Sequence, residues 1–251
     1  MEKPNKVVIV TGASRGIGAA TAILAAQRGY AVVVNYKSNK AAADKVVATI
    51  ISSGGAACAV ASDVSVEAEV LQLFKTTISQ FGRLDALVNN AGILEHHMRL
   101  ESMTVDRMVR VFNTNVIGSM LCAREAIKYM STTLNNAGGS IVNLSSIAAQ
   151  LGSPNEYVDY AASKGAIDTL TKGLAIELAD CGIRVNAVRP GVIDTEIHAS
   201  GGEPARVERV SQNVPMKRGG TSEEIANAVL WLLSSEASYV TGALIDVSGG
   251  R

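Results

Sequence analysis

The segment "KVVIVTGASRGIGAATAILAAQRGYAVVVNY" (residues 6–36) decides the fold of this 251-residue chain. An apolar run is followed by a turn with three glycines, a helical pattern at about 16–29 and a second apolar run at 31–36. Runs that are almost entirely Val, Ile and Ala are typical of parallel strands that are covered on both faces. A strand, a crossover helix and a parallel strand form a right-handed unit. The segment therefore predicts the start of an α/β sheet.

The same alternation continues through the rest of the chain. Further apolar runs occupy 56–62, 84–90, 140–146, 183–190 and 243–249, and helical patterns occupy about 39–53, 66–81, 103–131, 157–181 and 222–235. No repeat, low-complexity tract or composition shift marks a linker. We therefore expect one domain over 1–251, a doubly wound α/β Rossmann fold with a seven-stranded parallel sheet and helices on both faces.

One interval, about 191–220, breaks the alternation between the sixth strand and the last long helix. Loops of this length are uncommon inside compact domains and are usually functional or disordered. Within it, "EPARVERVSQ" favours a short helix. Because the interval follows a strand at the carboxyl edge of the sheet, we interpret it as a substrate lid. A tolerated surface insertion is the alternative.

Composition excludes several classes of function. The chain has 23 basic and 23 acidic residues and a formal net charge of zero, which disfavours a nucleic-acid or anionic-membrane surface. Cys58, Cys122 and Cys181 lack the paired spacing of a disulfide framework or metal site and indicate reduced core residues. His198 has no convincing second ligand, so we expect no metal. The N-terminus has no signal-peptide pattern and no apolar stretch approaches the ~20 residues of a membrane span, so we expect a cytoplasmic protein.

The turn "TGASRGIG" (11–18) predicts a phosphate-binding site. Its glycines at 12, 16 and 18 differ in spacing from the common dinucleotide fingerprint. The physical requirements are similar, since Gly12 permits a tight turn, Gly16 lets a pyrophosphate approach, and Gly18 lets the helix pack on the strand. The helix N-terminus then supplies an anion site. A plain strand-to-helix turn is the alternative, but the position after the first strand favours a dinucleotide.

The end of the second strand favours NADP(H). NAD-preferring folds carry an acidic residue there that accepts hydrogen bonds from the ribose, whereas "VNYKSNK" (34–40) has no carboxylate. Tyr36 occupies the acidic position, Lys37 follows it, and Arg15 projects from the phosphate turn. A carboxylate would repel a 2′-phosphate and these cations would attract it. NAD(H) remains possible, because both cations can be ordinary surface charges.

The stretch "YVDYAASKGA" (157–166) carries a candidate acid–base group. Tyr160 and Lys164 are four residues apart and share one helix face. A free phenol has a pKa of about 10, and a nearby ammonium lowers it. Ser146, in "NLSS" at the end of the fifth strand, is placed to hold a substrate oxygen. Asn115 lies inside a helix despite its poor helix propensity, so it either holds a relay water or serves as a cap.

The chain resembles the short-chain dehydrogenase/reductase family in six features that occur in this order: "TGASRGIG", "NNAG" (89–92), Asn115, Ser146, "YAASK" (160–164) and "RPG" (189–191). The resemblance covers essentially the whole chain and implies a single NAD(P)-binding domain. It implies an enzyme acting on CH–OH donors that transfers a hydride between the nicotinamide and a secondary alcohol or ketone, with a small-molecule substrate.

Site residues follow from the same resemblance. The catalytic tetrad would be Asn115, Ser146, Tyr160 and Lys164, with the tyrosine as general acid and base. Cofactor contacts are expected at Gly12, Ser14, Arg15, Gly16, Ile17, Gly18, Tyr36, Lys37, Asp63, Val64, Asn89, Ala91, Gly92, Tyr160, Lys164, Pro190, Gly191, Ile193 and Thr195. The spacing between the serine and the tyrosine is one residue longer than usual in the family. Ser145 is therefore the alternative to Ser146.

The sequence is consistent with more than one substrate class and oligomeric state. The chain resembles both 3-oxoacyl-carrier-protein reductases and glucose-type sugar dehydrogenases, and "SPNEYVDYAASKGAIDTLT" (153–171) favours the sugar-like or general-oxidoreductase branch. A non-catalytic NADP(H)-binding regulator is the alternative of another class, against which the complete tetrad argues. Glu156 either binds a hydroxyl-bearing ligand or caps the following helix. The resemblance implies a tetramer built through the two longest helices, so we expect a homotetramer, with a dimer as the alternative.

Overall fold

The computed structural model describes residues 6–196 and 201–251. Within them, one sheet has seven parallel strands in the order β3-β2-β1-β4-β5-β6-β7. The strands are β1 (Lys6–Val10), β2 (Tyr30–Tyr36), β3 (Ala57–Ala61), β4 (Ala86–Asn89), β5 (Gly139–Leu144), β6 (Ile183–Pro190) and β7 (Leu244–Val247). The predicted seven-stranded doubly wound fold is confirmed.

Helices cover both faces of this sheet. In chain order they are α1 (Gly16–Gln27), α2 (Lys40–Ser52), α3 (Glu67–Phe81), α4 (Val105–Phe112), α5 (Gly118–Met130), α6 (Ala148–Leu151), α7 (Val158–Glu177), α8 (Arg206–Ser211) and α9 (Ser222–Leu233). Single 3-10 turns occupy Leu100–Ser102, Thr132–Leu134 and Ser235–Ala237. None of the helices in the described ranges is long and apolar enough to cross a membrane.

The period-two geometry of the strands explains the continuous apolar runs. Val8 and Val10 belong to a core shared with α1, α2 and α9. Ile9, between them, belongs to the opposite core, which contains residues of α3, α5 and α7. Successive side chains of a strand point to opposite faces, so a strand covered on both sides needs apolar residues at every position. The first strand therefore contributes to both cores.

The strand order also determines where a ligand can bind. From β1 the chain proceeds outward to β2 and β3, and then returns to β4 on the other side of β1. In open α/β sheets a ligand crevice forms at such a reversal, beyond the carboxyl ends of the strands. The carboxyl ends of β1 and β4 are adjacent, with Val10 opposite Val88. The candidate site lies at this edge.

The helix predicted over 103–131 is interrupted. Thr104 caps its start by accepting a hydrogen bond from the Arg107 backbone N–H. Between α4 and α5, Asn113–Ile117 forms a π-helical segment, so the chain runs from one α-helix into the next through a wider turn. Single π-helical turns inside helices frequently occur at functional sites. The buried Asn115 lies at the centre of this segment.

The interval predicted as a lid is partly described. Its first part is bonded to its end, because Asp194 N donates to Gly220 O and Gly220 N donates to Val192 O, both at 3.0 Å. The short helix predicted from "EPARVERVSQ" is confirmed as α8. His198 lies outside the described residues. Across 6–196 and 201–251 no group of three His, Cys, Asp or Glu side chains forms a metal cluster, and the three cysteines are free thiols.

Candidate active site

The glycine turn between β1 and α1 has the conformation that its composition predicts. Gly12 and Gly16 have φ angles of +61° and +53°, a region that side chains with a Cβ rarely adopt. A Cβ at Gly18 would lie 2.5 Å from the Gly12 carbonyl oxygen, so helix and turn can approach this closely only with glycine. The side chain of the N-cap residue, Arg15, makes no capping hydrogen bond, and the first turn of α1 contains no acidic residue. Its N–H groups therefore suit an anion such as a pyrophosphate.

Three polar side chains at strand ends hold this turn in place. Thr11 Oγ1 accepts hydrogen bonds from the Asn90 and Ala91 backbone N–H groups at 2.9 and 3.0 Å. The Asn90 amide in turn donates to Thr11 O at 2.8 Å. Asn35 Oδ1 accepts from Gly12 N at 3.1 Å. Sequence reasoning did not select these residues, although a polar residue at the end of each of β1, β2 and β4 was a visible signal.

A cleft of about 480 Å³ extends from the turn along the ends of β2 and β3. Most of the expected cofactor residues line it: Gly12, Ser14, Arg15, Gly16, Ile17, Gly18, Tyr36, Lys37, Asp63, Val64, Ala91, Gly92 and Thr195. Asn89 lies outside this lining, because its amide donates to Ser119 O at 3.2 Å and to Asn143 Oδ1 at 3.0 Å. Its neighbour Asn90 lines the cleft instead. The shape and the glycine turn fit a dinucleotide.

The adenosine end of the cleft contains an ion pair. Lys37 Nζ lies 2.6 Å from Asp63 Oδ2, and the lysine side chain is 69% exposed. Burial would raise the pKa of Asp63, but hydrogen bonds from Lys37 and Ser65 lower it below its usual value. Asp63 is therefore ionised and its charge is balanced by Lys37. Ser38 and Asn39, at the start of α2, line the same end.

A second cavity of about 340 Å³ adjoins the cleft. Ile17, Asn90, Gly92 and Thr195 line both spaces, so one opens onto the other. Other expected residues line this cavity, namely Ser146, Tyr160, Lys164, Pro190, Gly191 and Ile193, whereas Asn115 lines neither space. Apolar side chains form much of the rest of its wall, among them Leu94, Ile147, Leu151, Pro154 and Val192. A small molecule in this cavity would lie beside a bound dinucleotide.

Tyr160 is a half-buried residue whose phenol has two neighbours that lower its pKa. Burial raises the pKa of Tyr160 to about 12, while the neighbouring Ser146 hydroxyl and the positive charge of Arg206 lower it. Burial has the largest effect on this pKa, and the arginine that lowers it belongs to α8. The effect of Lys164 on the same pKa stays a prediction.

Lys164 directs its ammonium at the sheet. Its Nζ donates to Leu144 O at 2.6 Å and lies 5.5 Å from the centroid of the Tyr160 ring. Burial lowers the pKa of Lys164 to about 8, and the negative charge of Asp168, one turn further along α7, opposes this. Tyr160 and Lys164 do share a face, as the spacing of four predicts. The Lys164 ammonium is also bonded to the Leu144 carbonyl, so it does not interact with Tyr160 alone.

The two candidate serines occupy different environments. Ser146 lines the cavity, and its hydroxyl lowers the pKa of Tyr160. Ser145 also reaches the cavity wall, but its Oγ is buried and donates to Lys164 O at 3.1 Å. The geometry therefore favours Ser146 as the residue that contacts a substrate, and gives Ser145 a bond that holds α7 against β5.

Asn115 joins three segments around the cavity. Its Oδ1 accepts from Ile93 N at 2.8 Å, and its Nδ2 donates to Ile93 O and to Ser163 Oγ, both at 3.1 Å. Ser163 Oγ also donates to Tyr160 O at 2.7 Å. The amide thus connects the segment after β4 with the turn of α7 that carries the phenol. The helix-cap alternative is not observed, since Asn115 lies inside the π-helical segment.

A charge cluster closes the far side of the cavity. Glu156 accepts from Arg206 at 2.8 Å and from Arg209 at 3.0 Å. Glu203 contacts the same two arginines and lies 3.1 Å from His97 Nε2. No side chain caps α7 at its first residue, so Glu156 is not the helix cap that was one of its two predicted roles. The cluster joins the segments 93–102, 150–157 and 201–211.

Comparisons with known proteins agree with this geometry. Residues 12–251 match a family model described as enoyl-(acyl carrier protein) reductase. The chain is 57% identical over 246 residues to uncharacterized oxidoreductase YgfF of Escherichia coli K12, covering 98% of this chain and 99% of the relative. It is 42% identical to a 3-oxoacyl-[acyl-carrier-protein] reductase of Synechocystis (98% and 96% covered) and 41% identical to glucose 1-dehydrogenase 2 of Bacillus subtilis (98% and 94%).

A solved structure is similar over the whole chain. It is a short-chain dehydrogenase/reductase from Serratia marcescens, with a TM-score of 0.91 and 34% identity, and the alignment covers 100% of this chain and 99% of the other. The likeness therefore extends from the glycine turn to the last strand.

Proposed function

Because the chain belongs to the short-chain dehydrogenase/reductase family and is an NAD(P)-dependent oxidoreductase, we propose that it interconverts a secondary alcohol and a ketone by hydride transfer, with NADP(H) preferred. One observation carries the proposal: the cavity that contains Tyr160, Ser146 and Lys164 opens onto the dinucleotide cleft. A bound substrate oxygen can therefore contact the phenol while the reacting carbon faces the cofactor.

The chain's own groups have distinct roles in this proposal. The bound cofactor supplies or accepts the hydride at the nicotinamide C4. In the reduction direction Ser146 orients the substrate oxygen and Tyr160 gives its proton to that oxygen. The charge of Lys164 favours the phenolate form of Tyr160 and its ammonium donates to the cofactor ribose, and Asn115 positions the segment after β4. General acid–base help of this kind contributes about 10² to 10⁴ in rate.

The substitution Tyr160→Phe tests the mechanism directly. The variant keeps the ring and loses the proton, so turnover should fall by about 10²-fold or more while NADP⁺ binding changes little. Turnover is followed by NADPH absorbance and binding by isothermal titration. Turnover that persists at the wild-type level in this variant would contradict the proposed role of Tyr160.

The preference for NADP(H) is supported by the adenosine end of the cleft. Arg15, Lys37, Ser38 and Asn39 line the cleft, and Asp63, which is one of two carboxylates in the lining together with Glu196, is balanced by Lys37. A 2′-phosphate would find cations and hydrogen-bond donors there. NADP⁺ should therefore raise the melting temperature more than NAD⁺ at equal concentration. Lys37→Glu should reverse that order, and an equal shift from both nucleotides in the wild type would refute the preference.

Two relatives suggest two substrate classes, sugars and 3-oxoacyl thioesters. We favour the sugar-like class of small hydroxylated substrates, because the cavity is small and its wall contains the charged pair Glu156 and Arg206. A panel of sugars, hydroxyketones and 3-oxoacyl thioesters assayed with NADPH and NADP⁺ separates the classes. Binding of NADP⁺ without turnover of any member would support a non-catalytic regulator instead.

A homotetramer is supported by apolar residues that stay exposed on the helices. Val105, Val109 and Phe112 are 72%, 48% and 38% exposed on α4, Met120 is 45% exposed on α5, and Ile176 is 83% exposed on α7. A second copy of the chain covering these faces would bury them. Sedimentation of a monomer alone would contradict the assembly. We also place the protein in the cytoplasm, which the free thiols support and cell fractionation would test.

A further inference from the structure

Arg107, on α4, forms a buried ion pair with the residue that precedes Tyr160. Its Nε donates to Asp159 Oδ2 at 2.7 Å and its Nη2 donates to Asp159 Oδ1 at 3.2 Å. The two residues are 4% and 5% exposed. Asp159 lies in the first turn of α7, and its Oδ1 also accepts a hydrogen bond from Tyr160 N at 2.9 Å. The guanidinium is therefore bonded to the turn that carries the candidate acid.

The same guanidinium also holds the segment 93–98, which follows β4. Arg107 Nη1 donates to His96 O at 2.6 Å. This segment contributes Leu94 to the cavity lining, and the ring of His97 packs edge-on against Tyr157 with a centroid distance of 5.2 Å. A guanidinium presents its donors in a rigid planar fork. Bonds on two of its sides therefore set the position of the segment relative to α7.

The segment 93–98 is bonded near both of its ends as well. Asn115 accepts from Ile93 N at 2.8 Å and donates to Ile93 O at 3.1 Å. Met98 N donates to Glu156 O at 2.9 Å. Arg107 holds the segment between these two points, at His96. Its other two bonds reach the first turn of α7, so one side chain connects the middle of the segment with the turn of Tyr160.

Stability alone does not account for a buried ion pair at this place. Moving two charges out of water costs free energy that their attraction offsets only partly, and apolar residues of similar volume are often equally or more stable. An apolar pair could not bond His96 O and Tyr160 N, however. The three hydrogen bonds of the guanidinium and the bond from Tyr160 N to Asp159 fix directions as well as contact.

We propose that Arg107 is a positioning residue of this site, which holds the segment 93–98 at a fixed place relative to the Tyr160 phenol. The inference rests on the proposed function, in which Tyr160 exchanges a proton with a substrate in the cavity. Arg107 lines neither the cavity nor the dinucleotide cleft, so it acts through His96 and Asp159. Displacing a bound substrate from a catalytic group by about 1 Å can lower the rate by about 10²-fold.

The double variant Arg107→Met/Asp159→Leu separates position from stability. It leaves neither charge of the pair without a partner, so its urea unfolding should be close to that of the wild type. It loses the bonds to His96 O and Tyr160 N, so kcat on the most active substrate of the panel should fall by about 10- to 10²-fold. The Kd of NADP⁺, measured by isothermal titration, should not change, because neither residue lines the dinucleotide cleft.

Hydrogen exchange measures the same effect without a substrate. In the NADP⁺ complex of the double variant, peptides covering 93–98 and 158–161 should exchange about tenfold faster than in the wild type, as expected for the loss of one hydrogen bond. If the double variant does not recover wild-type stability, Arg107→Lys replaces it. A lysine keeps the charge beside Asp159, but its donors radiate from one nitrogen, so it should not also hold His96 O. This variant should show the same faster exchange at 93–98.

Arg110→Met is the matched control. Arg110 lies three residues further along α4 and bonds Glu95 of the same segment at 3.1 and 3.2 Å, but its side chain is 55% exposed. An exposed ion pair contributes little to stability. The exchange rates, kcat and the Kd of NADP⁺ should therefore match those of the wild type.

The outcomes separate this inference from the proposed function. A kcat or an exchange rate that stays at its wild-type value overturns the positioning role, because the ion pair would then serve only the stability of the fold. Effects no larger than those of Arg110→Met overturn it too. Absence of wild-type turnover across the substrate panel refutes the proposed reaction, and hydrogen exchange then decides by itself whether Arg107 holds the segment in place.

Discussion

Burial of Lys164 makes the stability of the protein depend on pH, and Lys164→Met should remove that dependence. The residue is 4% exposed and its ammonium donates to Leu144 O at 2.6 Å. Burial lowers the pKa of Lys164 from its ordinary value of 10.5 to about 8, although the charge of Asp168 opposes the change. Holding the ammonium inside the fold therefore costs free energy at neutral pH.

The magnitude follows from the two pKa values. A group that titrates at about 8 in the folded chain and at 10.5 in the unfolded chain costs about 3 kcal/mol when it is charged in both, at 1.36 kcal/mol per pH unit. Between these values the unfolded chain binds more protons, so the free energy of unfolding rises with pH. The cost is complete below pH 8 and absent above pH 10.5. Methionine at this position carries no such cost.

Urea unfolding of both proteins from pH 7 to 10.5 measures the effect. The wild type should gain about 3 kcal/mol relative to Lys164→Met across this range. Loss of the hydrogen bond to Leu144 O shifts the free energy of unfolding of Lys164→Met by a constant amount. It does not change the difference in pH dependence between the two proteins. Lys172→Met, on the exposed side of α7, is the control and should run parallel to the wild type. Parallel curves for Lys164→Met would refute the buried ammonium.

Three further predictions concern neighbouring groups. Ser146→Ala should lower kcat by about 10²- to 10³-fold. Ser145→Ala loses a buried hydrogen bond, so it should cost about 1 kcal/mol of stability and keep turnover. The opposite pattern would exchange the roles of the two serines. Arg107→Met alone leaves the buried Asp159 carboxylate without its partner and should lower the free energy of unfolding by about 3–5 kcal/mol. Adding Asp159→Leu should restore most of this loss, as measured by urea unfolding. Hydrogen bonds from Arg209 and Arg206 lower the pKa of Glu203 to about 2. Its contribution to stability is therefore complete above pH 4.5 and is lost as the pH falls towards 2. In Glu203→Gln the melting temperature should depend less on pH over this range.

Sequence alone predicts the sheet, because a strand that is buried on both faces has apolar residues at nearly every position. Val8, Ile9 and Val10 are all fully buried, and they alternate between two cores. A strand with one solvated face would show alternating polarity instead. The glycine turn is equally readable, since its positive φ angles admit few other residues. These features depend on local chemistry, so one chain suffices to find them.

Features that depend on where a side chain points, or on residues that are distant in the sequence, cannot be predicted in this way. The motif "NNAG" contains two asparagines, and adjacent residues at a strand end point to opposite sides. Asn90 lines the cleft and Asn89 bonds inside the fold, which the motif alone does not distinguish. The π-helical segment at Asn113–Ile117 is likewise hidden, because an apolar pattern at 3.6 residues per turn fits α4 and α5 alike. Arg206 lies in the short helix that the sequence predicted at 203–212, but no motif there identified a site residue.

The electrostatics of the site follow from burial more than from the pairing of Tyr160 with Lys164. Burial favours the neutral form of both groups, and it raises the pKa of the phenol while lowering that of the ammonium. At neutral pH Tyr160 therefore holds its proton, which is the form that reduction of a ketone consumes. Oxidation of an alcohol begins from the phenolate, which burial disfavours. The Ser146 hydroxyl and the positive charge of Arg206 oppose the effect of burial and lower the pKa of Tyr160, which reduces the free-energy cost of the phenolate from which oxidation begins.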